Sequence, residues 1–474
     1  MNLQRRFLLI LFGPIVFVIV SFLLSGIFSS AAAQAVGVMA WMIVWWITRP
    51  VNITVTAILP VAMNAVLNLV PMETVTAQYA SDSVILIFGS GLITMPWSNI
   101  GLDRRIALKT LSMVGPSMKS QIIVWLLASV LLSTVLPNVA VCALFSTIAV
   151  SMLNAAGHSD IPNSAAAVPI LMAVGWGVTL GGAGSPLGGA MNLVAISFME
   201  DYTGHEFIYI DWVVRILPYF IIAVAVLLIG MLLMPSKVKH LEGTKAFFEK
   251  EYQALGPMKR DEKICAALFL VALAGVFLRH LYDHFLPGLA PAYIFLIIGF
   301  LTFFITAADK GLMLTWEQAQ KDTMWGMMIL FAGGMALGSL LNGTGASERV
   351  AELVSGMSLD GGLMTIIILV VFTRILSELT NGTTAAAIMV PIVFSFTAEM
   401  NLNPVPYWFI TTMAFNGEYL LPISVRAIPV AHGLNANRML KAGIPMTLIN
   451  MVIVIVTGWT LMKFWPAFST FSYL

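Results

Sequence analysis

QIIVWLLASVLLSTVLPNVAVCALFSTIAVSMLNA, residues 121–155, is apolar for too long to be one membrane-spanning helix, and it carries a polar break, Pro137-Asn138, near its middle. A helix of about 20 residues crosses the roughly 30 Å hydrocarbon core of a bilayer. A block interrupted at that depth exposes uncapped N–H and C=O groups that lipid cannot satisfy, so the break must face protein or a water-filled cavity. The block therefore reads as a re-entrant helical hairpin. Residues 362–398 read the same way, with their break at Thr380-Asn381-Gly382.

These two blocks belong to a longer repetition. Leu86-Ile87-Phe88-Gly89-Ser90-Gly91, with Asn99 and Arg105-Ile106 beyond it, recurs as Ile329-Leu330-Phe331-Ala332-Gly333-Gly334 with Asn342 and Arg349-Val350. The interval is about 243 residues. At nearly that interval Ser133 falls on Ser377, Pro137-Asn138 on Asn381-Gly382, and Ala143 on Ala387. Matches kept in one order argue against two unrelated stretches of Gly/Ala-rich membrane sequence.

Composition sets the environment. Of 474 residues 59% are hydrophobic and 10% charged, against about 25% charged in soluble proteins, which excludes a water-soluble enzyme. Lys+Arg 24 against Asp+Glu 23 gives a net charge of +1, which excludes a polybasic nucleic-acid binder. Two cysteines, Cys142 and Cys265, offer no disulfide framework or cysteine-rich metal site. The expected fold is an all-α polytopic membrane protein with about eleven transmembrane helices plus two re-entrant hairpins. The spans are placed near 7–30, 33–48, 52–71, 83–100, 164–200, 211–234, 264–282, 290–307, 323–341, 405–432 and 443–465. The 164–200 span is interrupted at Gly181–Gly189 and the 405–432 span at Pro422–Pro429.

Arg5 and Arg6, the apolar run from Phe7 to about Phe28, and Ala31-Ala32-Ala33-Gln34-Ala35 superficially resemble a signal peptide. The run is longer than a signal h-region and reads as a retained first span. With the N-terminus inside, the cytoplasmic side collects Arg5, Arg6, Arg49, Arg104, Arg105 and the Lys237–Lys263 cluster, while Arg279 and Lys463 are among the few outside. This positive-inside bias makes the first hairpin enter from the cytoplasm and the second from outside. Residues 235–263 form the one sizeable hydrophilic stretch, a cytoplasmic linker between a first repeat, 1–234, and a second, 264–474. Opposed repeats whose broken helices meet at the bilayer midplane are an architecture of secondary transporters.

Helix N-termini at Asn138 and Thr383 would aim N–H groups and positive dipole ends at the midplane, suited to carboxylate oxygens. The competing reading is that these side chains merely cap their helices. Ser133 and Ser377 can supply oxygens to a cation or bond to their own preceding carbonyls, and both readings stay open. Arg426 is a charge within an apolar stretch, where charge is costly and usually functional. It is expected to grip a substrate carboxylate with two parallel hydrogen bonds; the competing reading pairs it with Glu418. Arg374 and Glu378, four residues apart, are expected to pair within one helix. His432 reads as interfacial. No His-Glu-x-x-His, Walker loop or paired-Asp motif occurs, and Gly89-Ser90-Gly91 has no histidine partner, so an intramembrane hydrolase is the weaker class. An anion channel is weaker too, since two occluding hairpins leave no continuous pore.

At these residues the chain resembles the divalent anion/sodium symporter family, carriers of di- and tricarboxylates and sulfate. The resemblance covers nearly the whole chain. It includes Gly101-Leu102-Asp103-Arg104-Arg105-Ile106-Ala107-Leu108, Tyr252-Gln253-Ala254-Leu255-Gly256-Pro257-Met258, and Ser377-Glu378-Leu379-Thr380 with Pro391 beyond. The family carries a Ser-Asn-Thr triplet at each tip, faced by a Thr-Pro-Pro loop. Here the triplets read Pro137-Asn138-Val139 and Asn381-Gly382-Thr383, and the loops read Gly188-Gly189-Ala190-Met191-Asn192 and Ser424-Val425-Arg426-Ala427-Ile428.

Position by position, the resemblance implies anion contacts at Asn138, Val139, Gly189, Asn381, Gly382, Thr383 and Val425, joined by Arg426. It implies sodium ligands at Ser133, Asn138 and Gly188 in the first repeat and at Ser377 and Ser424 in the second. It also implies a homodimer working by an elevator motion in the cytoplasmic (inner) membrane. A divalent anion entering a negative interior works against about 2.3 kcal/mol per charge per 100 mV, so a carrier must bring cations or exchange anions. Gly382 stands where the second sodium site has an asparagine, and Arg426 brings a fixed positive charge there, which favours exchange. The expectation is a secondary transporter of small organic anions (C4-dicarboxylate, 2-oxoglutarate or citrate class), exchanging them without sodium and needing no cofactor. A sodium-coupled dicarboxylate or sulfate symporter is the alternative.

Overall fold

In lipid a chain satisfies its backbone polar groups within helices or closed barrels. The computed structural model describes residues 3–234, 237–308, 310–355 and 361–471. Among these residues β-pairing is limited to isolated bridges, Ser117 with His240 and Thr306 with Leu312. The protein is an all-α polytopic membrane protein.

The first helices are α1 (Leu3–Leu24), α2 (Ser30–Thr48), α3 (Ile53–Thr56), α4 (Leu59–Leu67), α5 (Met72–Thr76), α6 (Asp82–Ile100) and α7 (Leu102–Leu111). The first helix pair, α8 (Met118–Ser133) and α9 (Asn138–Ala155), stands where the 121–155 hairpin is expected. The interrupted span follows as α10 (Ala167–Gly181) and α11 (Ala190–Thr203), then α12 (Tyr209–Leu233). The middle of the chain holds α13 (Thr244–Ala254), α14 (Arg260–Phe277), α15 (Pro291–Leu301) and α16 (Trp316–Asp322). The second series is α17 (Trp325–Gly343), α18 (Ala346–Ser355), the pair α19 (Leu363–Leu379) and α20 (Gly382–Glu399), then α21 (Pro404–Phe415), α22 (Ala427–Ala431) and α23 (Ala436–Phe464). Helices α6 to α9 thus recur in order as α17 to α20, at an interval of about 243 residues.

Nine helices among the described residues are long and apolar enough to cross a membrane. The shortfall from the expected number lies partly at 52–71, where one span was expected and α3 and α4 stand instead. The Asn64 side chain stops the helix: its Oδ1 accepts from Leu69 N (3.0 Å) and Val70 N (3.1 Å), and its Nδ2 donates to Val70 O (3.0 Å). Asn68, at φ 51°, ends α4 in the left-handed conformation. The 290–307 span likewise shortens to α15, which stops at Leu301. The second interrupted span also breaks earlier than its prolines suggest, since α21 stops at Phe415 and helix resumes only at Ser424.

Close helix approach carries the packing around the first hairpin. A Cβ on Gly181 would lie 2.4 Å from Val130 O, and one on Gly177 would lie 2.9 Å from Leu126 O. Small residues let α10 lie directly on α8, the usual way to gain contact where lipid supplies no hydrophobic drive. Residues 235 and 236 of the expected linker lie outside the described residues. The remainder forms α13 and is tied to α7: Arg105 pairs with Glu262 at 2.8 Å and donates to Gly256 O at 2.8 Å and Leu255 O at 3.1 Å.

Candidate functional site

The turns between the paired helices are short. Residues 134–137 join α8 to α9, and Thr380-Asn381 joins α19 to α20. Both tips reach one buried cavity, in which about 100 Å³ is open to water, room for several molecules. Its near side is built from the tips and the broken helices; its far wall comes from α6, α14, α15 and the start of α17, with Ser90, Thr94, Phe269 and Phe295 among the lining residues.

Of the residues expected to contact an anion, Asn138, Val139, Gly189, Asn381, Gly382, Thr383 and Val425 all line this cavity. At the first tip Asn138 opens α9 and packs against the broken helix so closely that a Cβ on Gly182 would meet its Nδ2 at 2.5 Å. Asn192 Nδ2 holds the facing loop, donating to Gly182 O at 2.7 Å and Ser185 O at 2.9 Å. Asn416 Nδ2 donates to Asn192 Oδ1 at 2.9 Å, joining the two broken spans. At the second tip Asn381 is the N-cap of α20: its Oδ1 accepts from Thr384 N at 2.9 Å. Neither Asn138 nor Thr383 is the cap of its helix: α9 follows Pro137 with no side-chain cap, α20 is capped by Asn381, and Thr383, half-buried, lines the cavity.

Arg426 differs from its expected place. It is absent from the described lining of the cavity and is 1% exposed. Its Nη1 donates to Glu378 Oε2 at 2.5 Å, and its Nη2 lies 3.0 Å from Glu418 Oε2. The guanidinium thus balances two buried acids, a demand that outweighs holding itself open for substrate, because breaking a buried pair leaves an uncompensated charge. The expected Arg374–Glu378 pair is corrected for the same reason. Arg374 Nη2 donates to Asn450 Oδ1 on α23. Glu378 instead receives Arg426, Tyr419 N at 2.6 Å and Leu420 N at 3.2 Å, so it caps the open backbone of the second break.

The residues considered for a cation divide unequally. Ser133 Oγ faces Asn138 Oδ1 and lies 3.0 Å from Val178 O, and a Cβ on Gly188 would lie 2.6 Å from Ser133 O. Oxygens do gather there. In the second repeat Ser377 Oγ donates to Arg374 O of its own helix at 3.1 Å, and Ser424 stands exposed at φ 55°, two positions from the Arg426 ion pairs. The first-repeat oxygens thus lie close together, while the Ser377 hydroxyl is turned back onto its own helix.

Glu418, expected only as a competing partner for Arg426, also belongs to the cavity. It is 4% exposed, lines the cavity, and lies near Gly382, where a Cβ would meet its Oε1 at 3.4 Å. An acid inside an apolar stretch was the available signal.

Helices broken in pairs around one buried cavity define a polytopic membrane transporter. The family model described as the sodium:sulfate symporter transmembrane region matches residues 2–467. The sodium-dependent dicarboxylate transporter SdcS of Staphylococcus saprophyticus is 26% identical over 94% of this chain and 89% of its own. SdcS of Staphylococcus aureus is 23% identical over 89% of this chain and 84% of its own. The crystal structure of the Alcanivorax borkumensis YdaH transporter, reported to have an unusual topology, shares the fold at TM-score 0.50 and 12% identity, over 84% of this chain and 89% of that one. The chain belongs to the sodium:sulfate symporter family, the divalent anion/sodium symporters.

Proposed function

We propose that this protein exchanges small organic dianions across the cytoplasmic membrane without sodium, loading them in the cavity between the two tips. The carrying observation is the convergence there of Asn138, Val139, Gly189, Gly382, Thr383 and Val425 from both repeats. The dicarboxylate class (C4-dicarboxylate, 2-oxoglutarate or citrate) is supported by the name of the SdcS relatives. Asn138 and Thr383 serve as donors at the starts of α9 and α20, where exposed N–H groups favour an anion. Sodium independence is supported by the second repeat, where Gly382 carries no side-chain oxygen and the Ser377 hydroxyl donates to Arg374 O of its own helix. A sodium-coupled symporter is the second reading. It is favoured by the Ser133–Asn138 grouping and by the sodium in the relatives' names.

The proposed working unit is a homodimer in which the hairpins and broken helices move as one body against the α6, α14 and α15 wall. In proteoliposomes, counterflow of internal for external dicarboxylate should run equally fast in sodium and choline buffers. Saturable activation by sodium would overturn the exchanger and leave the symporter.

The proposed orientation puts the N-terminus and the 235–263 linker in the cytoplasm. A single cysteine introduced at Lys245, with Cys142 and Cys265 replaced, should react with an impermeant maleimide only in inside-out vesicles. Reaction from the outside of intact cells would reverse the topology.

A further inference from the structure

Glu418 stands in the break between α21 and Ser424, a backbone region that makes no helix of its own. Its Oε2 is paired with Arg426 Nη2 at 3.0 Å, while its Oε1 lies against the start of α20, beside the Gly382 backbone N–H. This carboxyl lines the very cavity in which an anion is read to bind. An acid at the start of α20 occupies a position suited to the substrate's own carboxylate.

The surrounding charges are few. Helix α19 offers Arg374 and Glu378, and the Ser424–Arg426 turn offers Arg426. Two neutral phenols stand nearby, Tyr219 on α12, in contact with Asn450, and Tyr419 beside Glu418. Helices α20 and α23 bring only uncharged groups, Gly382, Thr447 and Asn450. With both acids ionised, the two arginines and two glutamates balance. An anion added beside Glu418 makes this enclosed region net negative, which a low-dielectric site resists strongly.

Protonating Glu378 would weaken its hold on Arg426, Tyr419 N and Leu420 N together. Glu418 has one ion pair and one backbone contact, at Gly382, against the three partners of Glu378, so it is the acid that gives way at least loss. We propose that Glu418 binds a proton whenever the cavity loads its anion, so that each anion crosses together with one proton. The proton comes from cavity water and adds to a carboxylate oxygen. Arg426 then loses one counterion, and its charge is felt by the anion instead. On release both leave, and the Glu418–Arg426 pair re-forms in the empty carrier. This deepens the exchange reading above and rests on the anion occupying that cavity; in exchange the proton travels in both directions.

The test uses purified full-length carrier with succinate, 2-oxoglutarate and citrate in turn, between about pH 7 and pH 9, where the added carboxylates are ionised. In weakly buffered solution, binding should take up one proton per anion, followed with an indicator dye. Affinity should be highest at the acid end and fall about tenfold per pH unit as Glu418 must be protonated from its ionised state. Glu418→Gln should bind without proton uptake and with no pH slope. Wild-type binding with no proton uptake overturns the proposal and leaves the anion site standing. Proton uptake that survives in Glu418→Gln overturns it as well, moving the proton elsewhere. If no anion binds wild type, the cavity reading fails and the proposal with it. Should Glu418→Gln not fold, Glu418→Asp should keep the uptake of one proton with its pH dependence displaced, and an unmoved pH dependence overturns the proposal.

Discussion

Arg426→Met is expected to lower stability by about 3–5 kcal/mol, as loss of one partner of a buried pair does, and to abolish counterflow. The substitution keeps most of the side-chain volume and removes the charge that Glu378 and Glu418 share. Two carboxylates would then stand in apolar surroundings with Arg374 as the remaining nearby cation. Adding Glu418→Gln restores the count, one arginine against one glutamate, and leaves Glu378 capping Tyr419 N. The double variant should therefore recover much of the lost stability, seen as a thermal transition in detergent close to that of wild type. It should not recover transport, because both the charge that draws the anion and the acid that answers it are gone. A double variant no more stable than Arg426→Met would mean that the acids are not held by this guanidinium. An Arg426→Met carrier with normal counterflow would remove the cluster from the transport cycle.

The two broken helix pairs were legible in the sequence because their signal is local. An apolar block too long for one span, with Pro137-Asn138 or Asn381-Gly382 at its centre, leaves few ways to satisfy the backbone, and α8–α9 and α19–α20 fall within a few residues of the expected limits. Repetition at a fixed interval strengthened each half with the other. What escaped depends on partners distant in sequence. Arg374 and Glu378 have the spacing of an intrahelical pair, yet Glu378 turns to Arg426, 48 residues away, and Arg374 to Asn450, 76 away. Spacing along a helix cannot weigh a pair worth a few tenths of a kcal/mol against a buried acid that needs a cation.

Pro422 and Pro429 mark the second break in the sequence, whereas α21 ends earlier, at Phe415. Gly417 follows, and a Cβ there would lie 2.4 Å from Asn450 Oδ1. That close approach to α23 is invisible without the fold, and it is what brings Glu418 and Tyr419 into the open stretch. Asn64 is a similar case. An asparagine within an apolar run carries no local sign of a helix stop; the loop it closes onto Val70 supplies one.

Asn138→Asp is expected to weaken anion binding by about a thousandfold. The change is isosteric and exchanges a neutral amide for a negative charge on the cavity wall. Two unit charges about 4 Å apart at an effective dielectric of about 20 repel by about 4 kcal/mol, and each 1.4 kcal/mol or so is tenfold in affinity. Asn138 is buried, so the new carboxylate costs stability, in part offset by its place in the first turn of α9, where an acid complements the helix dipole. A lowered thermal transition in a protein that still folds, with loss of anion binding, is the expected pair of results. The same variant separates the two coupling schemes. If Ser133 and Asn138 hold sodium, a carboxylate there strengthens the cation site, and whatever transport remains should become more responsive to sodium. If they face only the anion, the residual transport stays indifferent to sodium while affinity collapses. Retention of anion affinity within about tenfold, where a close charge should cost several kcal/mol, would place the anion away from the first tip and leave the second to hold it alone.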